Sequence, residues 1–315
     1  MTASPSATYP HQSLHRHIDP IFHPFPTPFV THAVLTTPSP LTEDSRPMSN
    51  VVILQHVRHE GPGRIVPVFR DFGIRIDHRH LYKGDEVPSD LDDIRALIVL
   101  GGPMGVADIA KPEYPFLAAE VALLKRAVAA DRSVLGICLG AQLLAHAAGA
   151  KVHPNTRPAA KPEDAPTPVP ELGWLPVSFP FPGGTEPLVM GMHDDMMVFH
   201  WHHDTFELPK LPIPANAPPP PAPPPPSGNA LLSSSRLCKN QAFRFKNRLF
   251  GFQWHMELTP ADIEAIVSAG RDDITNVLGP GGESTIRQDT EKYYPQYSRL
   301  GDKLLRNFVQ FLKVY

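Results

Sequence analysis

The segment Gly136-Ile-Cys-Leu-Gly140 has the residue types and spacing of a reactive site, and it lies between an apolar run and a helix-like stretch. Glycines two residues either side of Cys138 let the backbone turn sharply from strand to helix, as in a nucleophile elbow. Such a turn lifts the cysteine clear of the sheet, and the positive end of the next helix stabilises a thiolate. The pattern predicts Cys138 as a nucleophile, although a free buried cysteine can also be purely structural.

A thiol nucleophile needs a base, and the base needs a group that orients it. His255 and Glu257 follow an apolar run that ends near Trp254. Because residues two apart share a face of an extended chain, both side chains are expected to point the same way. We therefore predict His255 as the base and Glu257 as its orienting carboxylate.

A third segment, Gly101-Gly-Pro103, directly follows the apolar run 96–100. A tight turn there lies at the carboxyl edge of a parallel sheet, where doubly wound folds bind their ligands. The backbone amides of Gly102 and Leu139 could together form an oxyanion hole.

Strand and helix patterns alternate through the first half of the sequence. This alternation predicts a parallel sheet covered by helices on both faces. The predicted strands are 51–55, 74–77, 96–100 and 133–137, and the predicted helices are 64–72, 116–130 and 139–148.

The second half is richer in short strand-like runs, which indicate antiparallel pairs and hairpins. Together the two halves predict an α/β fold of doubly wound, flavodoxin-like type, with a mainly parallel sheet and added antiparallel strands. The predicted strands here are 174–179, 187–190, 196–200, 230–235, 241–246 and 249–254, followed by helices at 260–268 and 302–313.

Proline is concentrated at two places that interrupt this pattern. Residues 1–48 are rich in Pro, Ser, Thr and His, and eleven of the 18 residues from 209 to 226 are proline. We predict a disordered N-terminal extension over 1–48, one domain over 49–315, and a disordered proline-rich insertion at 209–227. The insertion could be a tolerated surface loop or a lid over the substrate.

Composition excludes several classes of protein. A net charge of −3 argues against nucleic acid as a partner, and no apolar run is long enough to span a membrane. Two cysteines cannot form a disulfide framework, and a cytoplasmic location fits them. A transit peptide within 1–47, or a start displaced upstream of Met48, are the alternatives for the N-terminal segment.

Three histidines at 200, 202 and 203 raise the question of a metal site. Alternate histidines on a strand share a face, but no cysteine or carboxylate cluster completes a ligand set in the neighbouring sequence. The sequence therefore predicts no metal and no cofactor.

The three reactive segments together resemble the signature segments of class I (triad-type) glutamine amidotransferases, in the order typical of that family. The likeness covers about residues 50–270 and extends over Gly136–Gln142 and Gln253–Glu257. Residues 172–174, 198–206 and 238–243 are similar to a stand-alone GMP-synthase-like branch that includes γ-glutamyl peptidases. One departure is His203, where the family often has glycine.

The resemblance implies a role for six residues. Cys138 would be the nucleophile, His255 the base, Glu257 its orienter, Gly102 and Leu139 the oxyanion amides, and Gln142 a contact of the bound glutamyl group. It also implies a small-molecule γ-glutamyl substrate, either glutamine or a γ-glutamyl peptide, cleaved through a cysteinyl thioester. The released ammonia would go to solution or to a separate ammonia-accepting subunit.

Two alternatives remain open from the sequence. One is a non-catalytic or redox-sensing domain whose elbow cysteine reacts but turns nothing over, and the His255–Glu257 pair argues against it because a sensor needs only an acidic thiol. The other is a cysteine peptidase built on the same elbow, which is less favoured because its base usually follows the nucleophile more closely.

Overall fold

A seven-stranded, mainly parallel sheet forms the centre of the structure, a computed structural model that describes residues 50–158, 161, 165–210 and 228–314. All of these belong to one compact unit that begins at Arg46. The predicted N-terminal extension, and all but two residues of the predicted insertion, lie outside the described residues.

The strands and helices alternate in the first half and separate in the second. The strands are β1 Asn50–Gln55, β2 Ile76–His80, β3 Ile94–Val99, β4 Ser133–Ile137, β5 Val152–Pro154, β6 Thr156–Arg157, β7 Thr167–Pro168, β8 Glu171–Val177, β9 Met196–His202, β10 Asp204–Phe206, β11 Asn229–Ser233, β12 Ala242–Phe245 and β13 Leu249–Phe252. The helices are α1 Ile65–Asp71, α2 Pro115–Ala129, α3 Leu139–Ala147, α4 Pro260–Ala269, α5 Arg271–Leu278 and α6 Gly282–Val314.

The central sheet has the strand order β11-β12-β13-β4-β3-β1-β2. Neighbours from β2 to β13 pair in parallel, whereas β12 and β11 add antiparallel strands at one edge. The order 2-1-3-4 followed by a fifth parallel strand is the flavodoxin-like arrangement. The predicted fold class is confirmed.

Helices cover both faces of this sheet, because its inner strands are apolar on both sides. In β1, Val51 and Ile53 pack in a cluster with residues of α1 and α6. The alternate residues Val52 and Leu54 pack in a second cluster with residues of α2 and α3. The helices do not cover the carboxyl ends of β1, β3, β4 and β13. The loops that follow these strands can therefore form a site at this edge of the sheet.

Beyond the central sheet, β8 and β9 form a separate antiparallel pair. An isolated antiparallel β-bridge between Phe199 of β9 and His255 joins this pair to the segment that follows β13. The pair therefore closes over the carboxyl edge of the sheet, next to the loops that follow its strands.

Two sequence predictions about elements are wrong. Residues 187–190 form a short 3-10 turn, Pro187–Val189, rather than a strand, with Leu188 and Val189 buried. The last helix starts at Gly282 rather than near 302, and α5 precedes it. No helix among the described residues is both long enough and apolar enough to cross a membrane.

Candidate active site

Cys138 occupies the sharp turn between β4 and α3, as the elbow pattern predicts. Its backbone has φ 52° and ψ −110°, and it is the residue before the first turn of α3. A Cβ on Gly140 would overlap the carbonyl of Val99, and a Cβ on Gly136 would overlap the carbonyl of Gly140. The turn thus requires both glycines, and it holds Cys138 in a strained conformation that such elbows use.

His255 and Glu257 lie together beside this cysteine. Nδ1 of His255 is 2.7 Å from Oε1 of Glu257, and the backbone N–H of Met256 donates to Oε2 at 2.8 Å. No nitrogen or oxygen atom in the described part of the chain hydrogen-bonds to Nε2 of His255. The thiol of Cys138 is near enough to this side of the ring to affect the pKa of His255, but Sγ itself donates to the carbonyl of Trp201 at 3.4 Å.

Burial and neighbouring charges set the protonation of this group. Burial alone would lower the pKa of His255, but the charge and hydrogen bond of Glu257, together with the neighbouring Cys138, raise it well above its usual range. Burial raises the pKa of the Cys138 thiol, while the neighbouring His255 opposes that rise. A proton leaving the thiol is therefore well received by His255.

The Gly101–Gly102 peptide is fixed by a buried histidine that follows β1. Nδ1 of His56 is 2.9 Å from the carbonyl oxygen of Gly101, and Nε2 is 2.9 Å from Oε2 of Glu120. Burial opposes a charge on His56, but the charge of Glu120 and its hydrogen bond raise the pKa of His56. Since C=O and N–H point in opposite directions across a trans peptide, the Gly102 N–H points away from His56.

The other amide of the predicted oxyanion hole, that of Leu139, lies at the start of α3. Gly140 donates to the carbonyl of Leu100 at 3.1 Å, and Ala141 donates to the carbonyl of Cys138 at 3.0 Å. The Leu139 amide lies close enough to the Cys138 side chain to lower the pKa of the thiol. Its position at the first turn of a helix suits an oxyanion that develops next to the sulfur.

A cavity of about 660 Å³ opens over the thiol and is lined by Cys138, Leu139, Gly102 and Gln142. Gln142 is 5% exposed, and its Nε2 donates to Oε1 of Gln253 at 3.2 Å. The six residues predicted as site residues are thus brought to one edge of the sheet, four of them on the cavity wall and His255 with Glu257 behind the thiol. A larger cavity, of about 860 Å³, has none of these six in its wall.

The loop that carries His255 is clamped by Arg64, the residue before α1. Its side chain donates to the carbonyls of Met256 and Leu258, and Nε donates to Asp302 of α6 at 2.8 Å. The backbone N–H of Arg64 also donates to the carbonyl of Glu257 at 2.8 Å. One buried cation therefore joins α1, the site loop and α6.

The neighbouring sequence holds no carboxylate that completes a ligand set with His200 and His202, but the fold brings one to them from another strand. Glu171, on the neighbouring strand β8, brings a carboxylate oxygen within 4.8 Å of ring nitrogens of both histidines. The two oxygens of Glu171 accept from Ser235 at 2.7 Å and from Gln241 at 2.5 Å. Burial lowers the pKa of His200 to about 3. Glu171 is thus hydrogen-bonded, whereas neither ring nitrogen of His200 has a hydrogen-bond partner among the described residues.

A family model described as glutamine amidotransferase class-I matches residues 64–267. The chain belongs to the class I glutamine amidotransferase family.

Related proteins agree with this assignment. The putative glutamine amidotransferase-like protein YfeJ of Salmonella typhimurium is 28% identical over 253 residues, which cover 80% of this chain and 92% of that protein. A glutamine amidotransferase structure from Thermotoga maritima has a TM-score of 0.64 at 24% identity, over 84% of this chain and 98% of that one. One from Methylobacillus flagellatus has a TM-score of 0.65 at 24% identity, over 84% and 95%. Both structures share the fold of this chain.

In this class I glutamine amidotransferase, sequence reasoning missed the buried acid–base groups that follow β1 and lie on α2. His56 follows the predicted strand 51–55 without any motif around it, and Glu60 has no sequence signal. Glu120 occupies a fully buried position on α2, where a carboxylate needs a partner. That a charged residue falls on the apolar face of a predicted helix was the one available clue.

Proposed function

We propose that the protein is a cysteine-dependent hydrolase of γ-glutamyl amide bonds that works through a cysteinyl thioester. The observation that carries this proposal is the placing of Cys138 at a strained elbow, beside an imidazole whose other nitrogen is held by Glu257 at 2.7 Å. This is the combination of nucleophile, base and orienting group that acyl transfer needs.

In the proposed first step, Sγ of Cys138 attacks the side-chain amide carbon of the substrate. His255 takes the thiol proton and gives it to the leaving nitrogen, so that ammonia or an amine departs as the C–N bond breaks. The amides of Gly102 and Leu139 stabilise the negative oxygen of the tetrahedral intermediate. The product of this step is a γ-glutamyl thioester on Cys138.

In the second step, water attacks the thioester carbon and His255 takes a proton from it. The C–S bond breaks, glutamate leaves, and the proton returns to the thiolate. Gln142 is proposed to contact the glutamyl group from the cavity wall. The ammonia is released, or is passed to a separate subunit that uses it.

The competing proposal of a redox sensor receives less support from the same observations. A sensor thiol is acidic and accessible, whereas burial raises the pKa of Cys138 and leaves it 5% exposed. The second cysteine fits a sensor no better, because burial raises the pKa of Cys238 to about 11. A base with an orienting carboxylate, such as the buried His255–Glu257 pair, is needed for turnover of a substrate and not for redox sensing.

The test compares wild type with Cys138→Ala in two assays, ammonia release from L-glutamine and glutamate release from glutathione. We expect activity with at least one substrate in the wild type and none in the variant. Cys238→Ala is the matched control and should keep the wild-type rate. Equal rates for wild type and Cys138→Ala in both assays would refute the proposed function.

A further inference from the structure

Glu60 is a buried carboxylate of the active-site cavity for which the proposed mechanism has no use. It lies in the loop after β1, is 9% exposed, and forms part of the cavity wall with Cys138 and Gly102. Burial raises the pKa of the Glu60 carboxyl, although the charges of His255 and His56 oppose that rise. A carboxylate in such a place is costly unless a cation meets it.

Apart from the charges of His56 and His255, no basic group of the described residues lies in close contact with this carboxylate. Nε2 of His59 is 4.0 Å away, on a side chain that is one-third exposed. Burial lowers the pKa of His59, so that this ring is neutral at physiological pH. No lysine or arginine in the described part of the chain forms an ion pair with Glu60, which leaves the carboxylate open to a cationic ligand.

The other charged residues of the cavity wall also favour a cationic ligand. None of the described residues that line the cavity is a lysine or an arginine, and three further carboxylates lie there. Asp108 is bound to Lys111 at 2.6 Å, and Asp273 to His203 at 2.9 Å. The interior of the cavity therefore attracts cations, with Glu60 as the buried carboxylate closest to the nucleophile.

The position of Glu60 relative to Cys138 fits one end of a glutamyl group. A Cβ on Gly101 would overlap Oε2 of Glu60, and would lie 3.0 Å from Cε1 of His255 and 3.4 Å from Cβ of Cys138. The carboxylate and the nucleophile therefore lie close together, on the same face of one glycine. In a γ-glutamyl compound, three carbons separate the amide carbon that is attacked from the α-ammonium group.

We propose that Glu60 binds the α-ammonium group of the γ-glutamyl substrate, an inference that rests on the proposed function. A charge-assisted hydrogen bond from the ammonium would replace the solvation that the carboxylate loses on burial. Glu60 would then select substrates that carry a free α-amino group, and would reject acyl amides that lack it.

The test is a cycle of two enzymes and two substrates. L-glutamine is compared with 4-carbamoylbutanoate, which has the same amide and carboxylate but no α-amino group, in wild type and Glu60→Gln. We expect Glu60→Gln to lower kcat/KM for L-glutamine about 30-fold, mainly through KM. For 4-carbamoylbutanoate, the change should stay within about threefold, since the lost contact was never made.

Asp273→Asn is the matched control, because it also removes one negative charge from the cavity wall. It should leave the preference for L-glutamine intact. If Glu60→Gln slows both substrates equally, Glu60 acts on the thiol, on His255 or on the leaving nitrogen, and the proposal is overturned. An unchanged preference in Glu60→Gln overturns it as well.

A second measurement separates this inference from the proposed function. The rate at which the diazoketone analogue of L-glutamine alkylates Cys138 is followed by mass spectrometry, with iodoacetamide, which has no ammonium group, as the reference reagent. Glu60→Gln should slow only the analogue, and it should do so even if the protein hydrolyses neither amide. Equal slowing of both reagents, or of neither, would contradict the role of Glu60.

Discussion

At the level of single residues, the proposed chemistry depends on proton transfer between Cys138 and His255. The two groups are buried and coupled, so that the pKa values seen in a pH profile belong to the pair. Glu257 is the group that sets them, because its charge raises the pKa of His255. The carboxylate also fixes the ring so that Nε2 faces the sulfur.

Replacing Glu257 by glutamine should therefore change both the rate and its pH dependence. The imidazolium formed during attack loses its counter-charge, and we expect kcat to fall roughly 100-fold or more. The pKa of His255 should drop, so that the base is unprotonated at lower pH and the acidic limb of kcat/KM moves to lower pH. Exposed Glu113→Gln is the control. An unshifted acidic limb in Glu257→Gln would show that Glu257 does not act on His255.

His56 is a positioning residue in this account, since it bonds to the Gly101 carbonyl and not to the substrate. His56→Leu frees the Gly101–Gly102 peptide to rotate, and we expect kcat/KM to fall roughly 100-fold, as when one oxyanion donor is lost. His56→Asn keeps an N–H near the position of Nδ1 and should recover part of the activity.

The reaction of Cys138 with iodoacetamide checks this interpretation of His56, because alkylation of a thiolate forms no oxyanion. Its rate should stay within about threefold of wild type in both His56 variants. A parallel loss of turnover and alkylation would mean that His56 supports the thiol or the fold instead of the oxyanion hole.

At the level of elements, Arg64 joins three parts of the chain that sequence separates widely. Arg64→Met keeps much of the side-chain volume but leaves Asp302 and two carbonyl groups without their donor. We expect a loss of about 3 kcal/mol in the free energy of unfolding, measured by urea denaturation. Arg70→Met, at an exposed arginine of α1, should cost less than about 0.5 kcal/mol in the free energy of unfolding. Equal stabilities of the two variants would contradict the clamp.

Elements with a strong apolar pattern were predictable, and those with a weak one were not. The run 96–100 is apolar throughout because the strand is buried on both faces, and such runs placed β1, β3 and β4 within two residues. The first half of α6 was missed because few of its residues are buried, Ile286 and Tyr297 among them. The run at 187–190 was mistaken for a strand because Leu188 and Val189 are buried in a 3-10 turn.

The residues of the site divide in the same way, into those with a local sequence pattern and those without one. Cys138 could be found because glycines mark the elbow, and His255 with Glu257 because they are two residues apart. The chain actually bends after Phe252, so regular alternation was only part of the reason that the two side chains meet. His56, Glu60 and Glu120 have no local signature, since their roles come from burial and from contacts between distant segments.

At the level of the whole molecule, the site exists only where four chain segments meet at one edge of the sheet. Glu60 comes from the loop after β1, Gly102 from the loop after β3, Cys138 from the turn after β4, and His255 from the chain after β13. The parallel arrangement of these strands is what brings their carboxyl ends together. In the proposed function, this assembly forms a covalent bond to the substrate.

The most direct test is to trap that bond. Wild-type protein is mixed with L-glutamine, quenched in acid during turnover, and digested for mass spectrometry, with Cys138→Ser treated in parallel. We predict that the peptide containing Cys138 gains the mass of one γ-glutamyl group, that hydroxylamine removes it, and that the variant shows no thioester. Ammonia release at an undiminished rate in Cys138→Ser, with no adduct on Cys138 of the wild type, would contradict the account.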